Sequence, residues 1–230
     1  MNSPITAFDP PRICCNEAWE AAYVRFETPK EEIHKFTRRL CKLGALNWPR
    51  DARILELCCG RGNGLEAMSR LGFTQLEAVD LSPSLAGHYR GPARIYLCDC
   101  RNLPFHRGSK DIVIVQGGLH HVGCLPGGLE QTLAEASRVL VRGGLFVAVE
   151  PWMTPFLAFV HVLCRSQLAR RLSYKIDCLA IMNEHEHSTY TSWLANPAVV
   201  LKALSERFDP VVERIAWGKL MFVGRKRMMP

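Results

Sequence analysis

Hydrophobic and polar residues follow two different rhythms along the chain. Between residues 19 and 43, apolar side chains recur at near-helical spacing, so the pattern predicts helices there with a break near Pro29. From residue 52 onward, short apolar runs alternate with helical or turn-rich segments. The five runs comprise residues 53–58, 76–80, 93–98, 111–116 and 144–150. This alternation predicts a parallel sheet with helices on both faces, whose ligands bind beyond the carboxyl ends of the strands.

The pattern changes after Pro151. Residues 152–164 are almost entirely apolar, but about 20 residues are needed to cross a bilayer, so we expect a lid or a buried helix here. A helix is predicted from about residue 197 to residue 207. Two apolar runs, 211–217 and 220–225, are joined by a short glycine-containing turn, which predicts an antiparallel hairpin.

The same pattern predicts how the chain is divided. We expect an N-terminal helical extension over residues 1–48 and one main domain over residues 49–230. Within the main domain, residues 152–195 form a helical insert between the fifth predicted strand and the last helix. Its place beyond a strand end predicts a lid or a cover over the substrate.

Charge and cysteine content narrow the setting. The formal net charge is +7, but basic residues are interleaved with acidic ones, which favours a globular protein over a nucleic-acid-binding tail. Residues 1–10 show no basic segment followed by an apolar one, so we predict a cytoplasmic protein with reduced thiols. The close cysteine pairs lack C-x-x-C spacing, and no metal site is predicted from them: Cys14 and Cys15, Cys58 and Cys59, Cys98 and Cys100.

The turn after the first predicted strand carries the most informative residues. Glycines stand at positions 60, 62 and 64, where they let backbone N–H groups approach a ligand. A dinucleotide-binding turn would place its third glycine at position 65, which is leucine. Glu56 lies inside the strand, four residues before Gly60, where a carboxylate can orient the turn and face a cationic ligand.

This turn resembles motif I of the class I S-adenosylmethionine-dependent methyltransferases, commonly hydrophobic-Asp/Glu-hydrophobic-Gly-x-Gly-x-Gly. Glu56, Gly60 and Gly62 match the motif. Cys58 departs from it, because the family usually has its first glycine there. A side chain at this position narrows the space that the resemblance assigns to the methionine moiety.

Four further segments resemble the same family in the expected order. They are Asp80-Leu81, residues 97–105, residues 111–122 and residues 138–146. The chain is most similar to the type 11 methyltransferases over about residues 50–150. The resemblance implies a Rossmann-like α/β fold, with a doubly wound, mostly parallel seven-stranded sheet and a C-terminal antiparallel hairpin.

The resemblance also implies the cofactor and the residues that hold it. S-adenosylmethionine is the expected cofactor, with Asp80 accepting hydrogen bonds from the ribose hydroxyls, Leu81 against the adenine face and Asp99 at the adenine amino group. The cofactor-binding residues expected in full are Glu56, Cys58, Gly60, Gly62, Asp80, Leu81, Asp99, Cys100 and Gln116.

Two adjacent histidines are the predicted catalytic residues. His120 and His121 lie just beyond the fourth predicted strand, where the acceptor and the methyl donor should meet. Histidine titrates near neutral pH, so either can serve as a general base where the acceptor loses a proton. We favour His121. The alternative is that both histidines shape the cofactor pocket or cap a helix.

A second group of polar residues lies in the insert. Its histidines and glutamates, at positions 184–187, are of types that bind metals, but an exposed polar helix or loop is the favoured interpretation. We therefore predict no metal. The insert also contains Arg165, Arg170 and Arg171, which suit an acidic substrate group, peripheral contact with an anionic membrane surface, or simple snorkelling from a packed helix.

These observations predict methyl transfer to a small-molecule acceptor with hydrophobic bulk, without a nucleic-acid partner and without a transmembrane segment. One alternative is a nucleic-acid methyltransferase, suggested by the basic total and by the basic residues 224–227. The other is a non-catalytic S-adenosylmethionine-binding protein of the same fold, suggested by Cys58. The oligomeric state and the acceptor's identity have no signal in the sequence.

Overall fold

Parallel strands form the centre of the molecule. The computed structural model describes residues 5–7, 16–123 and 125–227. The strands are β1 (Ile5–Ala7), β2 (Arg53–Leu57), β3 (Gln75–Asp80), β4 (Arg94–Leu97), β5 (Lys110–Gln116), β6 (Leu140–Pro151), β7 (Phe208–Ala216) and β8 (Lys219–Lys226). They form one sheet in the order β1-β4-β3-β2-β5-β6-β8-β7. Strands β1 to β6 are parallel, and β8 is antiparallel to β6 and β7, so the predicted α/β fold with a C-terminal hairpin is confirmed.

The sheet contains one strand more than the seven predicted. Strand β1 pairs in parallel with β4 at the edge of the sheet, with Ile5 opposite Ile95. Its three residues are all exposed, so no alternation of apolar and polar positions marks this strand in the sequence. Main-chain hydrogen bonds to the open edge of β4 form the strand instead.

Helices cover both faces of the sheet. They are α1 (Glu17–Phe26), α2 (Pro29–Lys42), α3 (Asn63–Arg70), α4 (Pro83–Ala86), α5 (Gly127–Val139), α6 (Pro155–Arg165), α7 (Gln167–Leu172), α8 (Tyr174–His185), α9 (His187–Ala195) and α10 (Pro197–Arg207), with 3-10 turns at Ala45–Asn47 and Leu119–His121. Helices α2 and α3 pack in one buried cluster and α5 and α10 in the other. The strands β2 to β6 are therefore mainly buried on both faces, as their continuous apolar runs predict.

The break between α1 and α2 has a local cause. Thr28 caps α2: its hydroxyl accepts the Glu31 N–H at 3.3 Å, while the Glu31 carboxylate accepts the Thr28 N–H at 2.8 Å. Pro29 occupies the first helical position, where its missing N–H has no partner to lose. The capping box starts α2 two residues after α1 ends at Phe26, and the predicted break is confirmed.

Residues 155–195 fold into the four helices α6 to α9. Ala22 of α1 packs with Cys178 and Met182 of α8 in a small cluster of its own, so the N-terminal helices and the insert meet each other. No helix within the described ranges has both the length and the apolar character needed to cross a membrane. Cys14 and Cys15 lie outside the described residues.

Candidate active site

A tight turn after β2 leads directly into α3. Cys58, Gly60 and Gly62 all have left-handed backbone, with φ of 52°, 52° and 73°. The ring of Tyr89 lies where a side chain at position 62 would begin, because an added Cβ would stand 2.5 Å from its Cδ2. Glycine at position 62 is therefore required for both backbone conformation and space.

Cys58 holds a left-handed conformation that glycine adopts at lower cost. For a residue with a Cβ this conformation costs about 1–2 kcal/mol. Gly118, which follows β5, leaves the room for the cysteine: a Cβ added there would lie 2.5 Å from the Cβ of Cys58 and 2.8 Å from its sulfur. The departure from the family motif is thus matched by a glycine on the neighbouring loop.

Beneath the turn lies a buried and incompletely bonded pair of polar side chains. Burial, followed by the nearby carboxylate of Glu32, raises the pKa of Glu56 to about 8. Glu56 faces α3 at Gly64, where any side chain would overlap its carboxyl group. Gln116 approaches from β5 and lowers the pKa of Glu56, but Glu56 Oε2 and both amide atoms of Gln116 are buried without a hydrogen bond of normal geometry among the described residues.

Asp80 fixes the position of the turn relative to the neighbouring strand. Its Oδ2 accepts the N–H of Gly60 at 2.6 Å, and its Oδ1 accepts the N–H of Ser82 at 2.8 Å. Burial raises the pKa of Asp80 despite these hydrogen bonds. Leu81, the next residue, is half-buried. Because each carboxylate oxygen has a second lone pair, Asp80 retains acceptor capacity for a ligand.

Asp99 and Cys100 follow β4, and both contact other side chains. The carboxylate of Asp99 pairs with the guanidinium of Arg101, with Oδ2 2.5 Å from Nη2, and also accepts the Arg101 N–H. The Cys100 thiol is buried 3.7 Å from the hydroxyl of Thr132. The Cys100 thiol also contacts the thiol of Cys58. The structure thus joins the turn directly to Asp80 and Cys100, while Asp99 pairs with a residue outside the turn.

The N-terminal helices bind the turn through a buried network that was not predicted from the sequence. Glu32 of α2 accepts hydrogen bonds from Arg61 at 2.8 Å, from Asn63 at 2.6 Å and from the Tyr23 hydroxyl at 3.1 Å. The side chains of Glu32 and Arg61 are each only 4% exposed. Glu32 lies one helical turn before Phe36, so an acidic residue on an otherwise apolar helix face was the available signal.

The two predicted catalytic histidines lie beside two carboxylates. Glu150, at the end of β6, is fully buried and accepts the N–H groups of Gly118 and Leu119 at 2.9 and 3.0 Å. Its other oxygen lies 2.8 Å from Nδ1 of His120. On the opposite side of this ring, Nε2 lies 3.8 Å from a carboxylate oxygen of Glu186. His120 is therefore enclosed between two acids.

His121 has a different environment, although it stacks against His120 with ring centroids 4.0 Å apart. Its Nδ1 lies 3.5 Å from Glu186 Oε2, and its side chain is 33% exposed. Burial lowers the pKa of His120, but the hydrogen bond to Glu150 and the nearby carboxylate of Glu186 outweigh it and raise the pKa to about 9. Desolvation by the surrounding side chains and the charge of His120 lower the pKa of His121 to about 4. At neutral pH, His120 is charged and His121 is neutral.

Glu186 and Trp19 complete this cluster and were not identified from the sequence. Trp19 of α1 donates its indole N–H to Glu186 Oε2 at 2.9 Å and meets the ring of His121 edge-on, with centroids 5.2 Å apart. Glu186 was expected on an exposed polar segment, but its side chain is only 10% exposed because it folds back from the end of α8. Ligand atoms of Glu186, His120 and His121 lie within 4.8 Å of one another, so the absence of a metal stays a prediction.

Residues 55–148 match a family model described as a methyltransferase domain, of type 11. The match spans the glycine-rich turn, Asp80 and both histidines, and its family belongs to the S-adenosylmethionine-dependent class that the sequence motifs resemble. Glu150 and Glu186 lie beyond its end.

Two curated relatives match part of this chain. An uncharacterized methyltransferase of Synechocystis sp. is 31% identical over 101 residues, which cover 43% of this chain and 46% of the relative. A sarcosine/dimethylglycine N-methyltransferase of Aphanothece halophytica is 26% identical over 159 residues, covering 60% of this chain and 56% of the relative. The chain therefore spans about half the length of the curated relatives it matches.

A solved structure has a similar fold over almost the whole chain. A putative S-adenosyl-L-methionine-dependent methyltransferase from Methanococcus maripaludis superposes with a TM-score of 0.62 at 12% identity. The superposition covers 94% of this chain and 97% of the other. The similarity thus extends well beyond the matched residues 55–148, to the N-terminal helices and the insert.

Proposed function

We propose that this chain transfers a methyl group from S-adenosylmethionine to a small-molecule acceptor. The observation that carries the proposal is the pair of unpartnered groups beneath the turn, Glu56 Oε2 and the Gln116 amide. A buried polar group without a partner costs about 1–3 kcal/mol. A ligand that presents both hydrogen-bond donors and acceptors removes that cost. The amino acid end of S-adenosylmethionine has an ammonium and a carboxylate, so it fits this pair.

The remaining cofactor contacts follow from the same placement. Asp80 is held by two backbone N–H groups with lone pairs to spare for the ribose hydroxyls, and Leu81 is the neighbour for the adenine face. Cys58 and Cys100 narrow the pocket. Asp99 must exchange or share its Arg101 partner to accept the adenine amino group.

S-adenosylmethionine supplies a methyl group on a sulfonium sulfur, and its transfer disperses positive charge. Alignment and exclusion of water supply much of the acceleration for such a displacement. In this chain Trp19 and Tyr23 of α1 cover the site: Trp19 contacts His121 and Glu186, and Tyr23 lies against Gly60. We assign α1 and the 155–195 helices as the cover of the acceptor.

We assign removal of an acceptor proton to His121. It is neutral at physiological pH and a third exposed, so it can accept a proton from a bound ligand. His120 is already protonated and is enclosed by Glu150 and Glu186, which makes it a positioning residue for its neighbour. The aromatic rings of Trp19 and Tyr190 next to this pair favour an acceptor with hydrophobic bulk.

Calorimetric titration with S-adenosylmethionine tests the cofactor assignment. Asp80→Ala removes the turn's anchor, and Gly62→Arg forces a side chain into Tyr89, so we expect each to weaken binding at least about 100-fold. Asp80→Asn is the milder variant if either fails to fold. Gly108→Ala is the matched control, because Gly108 has φ of 67° but no neighbour within 4 Å of an added Cβ.

Two results would overturn the proposal. Wild-type affinity in both Asp80→Ala and Gly62→Arg would reject this pocket. If the cofactor binds but incubation of labelled S-adenosylmethionine with fractionated host metabolites labels no fraction, the chain is a binding protein that does not transfer methyl groups.

A further inference from the structure

Helix α6 exposes an apolar face to solvent. Phe156, Phe159 and Val162 recur at three-residue spacing and are 46%, 59% and 59% exposed. The opposite face of α6 packs inward through Leu157 and Cys164. Helix α6 is thus apolar on both sides, and since such a helix is normally buried all round, its outward face is unusual.

Further exposed apolar side chains lie on α7, which follows α6 after one residue and packs against it, and on the β7–β8 turn. Leu168 and Leu172, one helical turn apart on α7, are 67% and 79% exposed, and α7 has no buried residue. Trp217 is 77% exposed and meets Phe156 edge-on, with ring centroids 5.5 Å apart. We name the set Phe156, Phe159, Val162, Leu168, Leu172 and Trp217 the apolar ridge.

Backbone geometry holds Trp217 on this surface. Trp217 and Gly218 both have positive φ, 51° and 73°, as a type I′ hairpin turn requires. Glycine or asparagine adopts this conformation with less strain, so a tryptophan here is costly for the fold. Single exposed apolar residues are ordinary on protein surfaces, but large contiguous groups mark interaction sites.

The charge around the apolar ridge has one sign. Residues 152–176 contain three arginines and a lysine but neither aspartate nor glutamate. Arg170 pairs with Asp177 and Glu184, and Lys175 pairs with Glu31. Arg165 and Arg171 form no ion pair within the described part of the chain, and both border the ridge. Aromatic and aliphatic residues flanked by unpaired arginines are the composition of helices that lie in a membrane interface.

We propose that the apolar ridge docks this protein on an anionic lipid membrane surface. The aromatic and aliphatic side chains would enter the boundary between head groups and acyl chains, while Arg165 and Arg171 would contact lipid phosphates. A second copy of the chain is a poorer occupant, because an isologous dimer would bring like-charged arginines face to face. The inference goes beyond methyl transfer and does not require it.

The apolar ridge and the candidate active site both lie at the carboxyl end of β6. Strand β6 carries Glu150 of the histidine cluster and ends at Pro151, and helix α6 begins four residues later. Pro151 also pairs with Lys219, which lies beside the β7–β8 turn. Docking would therefore turn this end of β6 toward the bilayer. An acceptor reached from the membrane is the consequence, and that part rests on the proposed function.

Vesicle co-sedimentation without S-adenosylmethionine tests the docking itself. We expect the wild type to bind vesicles of phosphatidylcholine mixed with phosphatidylglycerol and not vesicles of phosphatidylcholine alone. Leu172→Ser should weaken binding about tenfold, because one buried leucine is lost from the interface. Leu46→Ser is the matched control: Leu46 is 59% exposed in the 3-10 turn before β2, and its substitution should leave binding unchanged.

A second pair of variants isolates the charge contribution. Arg165→Gln with Arg171→Gln should weaken binding roughly 20-fold, since each basic residue near an anionic surface contributes separately. Arg107→Gln with Arg142→Gln removes the same charge near the opposite edge of the sheet and should have a much smaller effect. Circular dichroism establishes that each variant is folded.

Three results would overturn the proposal: no binding of the wild type to the anionic vesicles, equal binding by the ridge variants, or equal loss in the Arg107 and Arg142 control. A further result would reassign the ridge. If light scattering shows a dimer that Leu172→Ser dissociates, and anionic vesicles are not bound, the ridge is an interface between copies. Because no step requires turnover, failure of methyl transfer would leave this outcome unaffected.

Discussion

The two sides of the candidate active site differ in how their buried polar groups are satisfied. On the methyl-donor side, which we propose binds S-adenosylmethionine, Glu56 and Gln116 have buried atoms with no hydrogen-bond partner in the described structure. On the methyl-acceptor side, around the two histidines, Glu150 has two backbone N–H groups and His120 as hydrogen-bond partners. Under the proposed function a ligand completes the methyl-donor side, whereas the methyl-acceptor side is complete in the protein alone. Substitutions should therefore affect ligand affinity on one side and the fold on the other.

Glu150→Ala should have the largest effect, and on stability. It leaves His120 and two backbone N–H groups buried without their partner, which should lower the free energy of unfolding by about 3–5 kcal/mol. Urea unfolding measures the change. Glu206→Ala is the control, since its carboxylate is 53% exposed and 3.8 Å from Lys202, and its loss should be under about 0.5 kcal/mol. Equal losses of unfolding free energy in the two variants would contradict the view that Glu150 satisfies the buried groups of the methyl-acceptor side.

His121→Ala should lower turnover roughly 100-fold, within the usual range for a general base, and leave S-adenosylmethionine affinity nearly unchanged. The pH profile sharpens the assignment. A base with a pKa of about 4 is unprotonated above that value, so wild-type turnover should rise through pH 4 and then stay flat. A base with its ordinary pKa of about 6.5 would keep rising to neutral pH.

The control for this substitution is His187→Ala, which alters an exposed histidine at the start of α9 and should leave turnover unchanged. Undiminished turnover in His121→Ala would remove His121 as the base. A profile that rises through neutral pH would instead indicate that its environment differs in the enzyme at work.

Gln116→Leu should have the smallest effect, but it should change stability and ligand affinity in opposite directions. It replaces an unpartnered buried amide by an apolar group of similar size, so the ligand-free protein should gain about 1 kcal/mol of stability. Affinity for S-adenosylmethionine should fall about tenfold, because one hydrogen-bonding partner is lost. Thermal unfolding and calorimetry measure the two changes. The control is Gln167→Leu, on the exposed start of α7, which should change neither stability nor affinity. A destabilised Gln116→Leu protein would contradict the view that the methyl-donor side lacks hydrogen-bond partners.

The donor side was predictable because its residues lie at the ends of neighbouring strands. Hydrophobic periodicity identifies the strands, and parallel pairing brings their carboxyl ends together, so Glu56, Gly60 and Asp80 could be placed near one another from the amino-acid order alone. Their close approach follows from local sequence and one rule of sheet topology. The extra strand β1 escaped this rule because its residues carry no pattern.

The acceptor side was only partly predictable. His120 and His121 follow a strand and were identified, but Trp19 and Glu186 are 167 residues apart, and neither belongs to a local motif. Their meeting depends on how α1 packs against α8, which is determined by a cluster of buried apolar contacts rather than by spacing. Asp99 shows the converse: its sequence context was informative, but its carboxylate pairs with a side chain two positions away.

The fit between Cys58 and Gly118 constrains the order in which substitutions can accumulate. A cysteine at position 58 is sterically admissible only in a chain that already has glycine at position 118, because any larger residue there would collide with it. While the cysteine is present, only glycine fits at position 118, whereas glycine at position 58 would remove the two shortest of these contacts. Variation at these two loops, 60 residues apart in the chain, should therefore be coupled and directional, with glycine at position 58 as the permissive state.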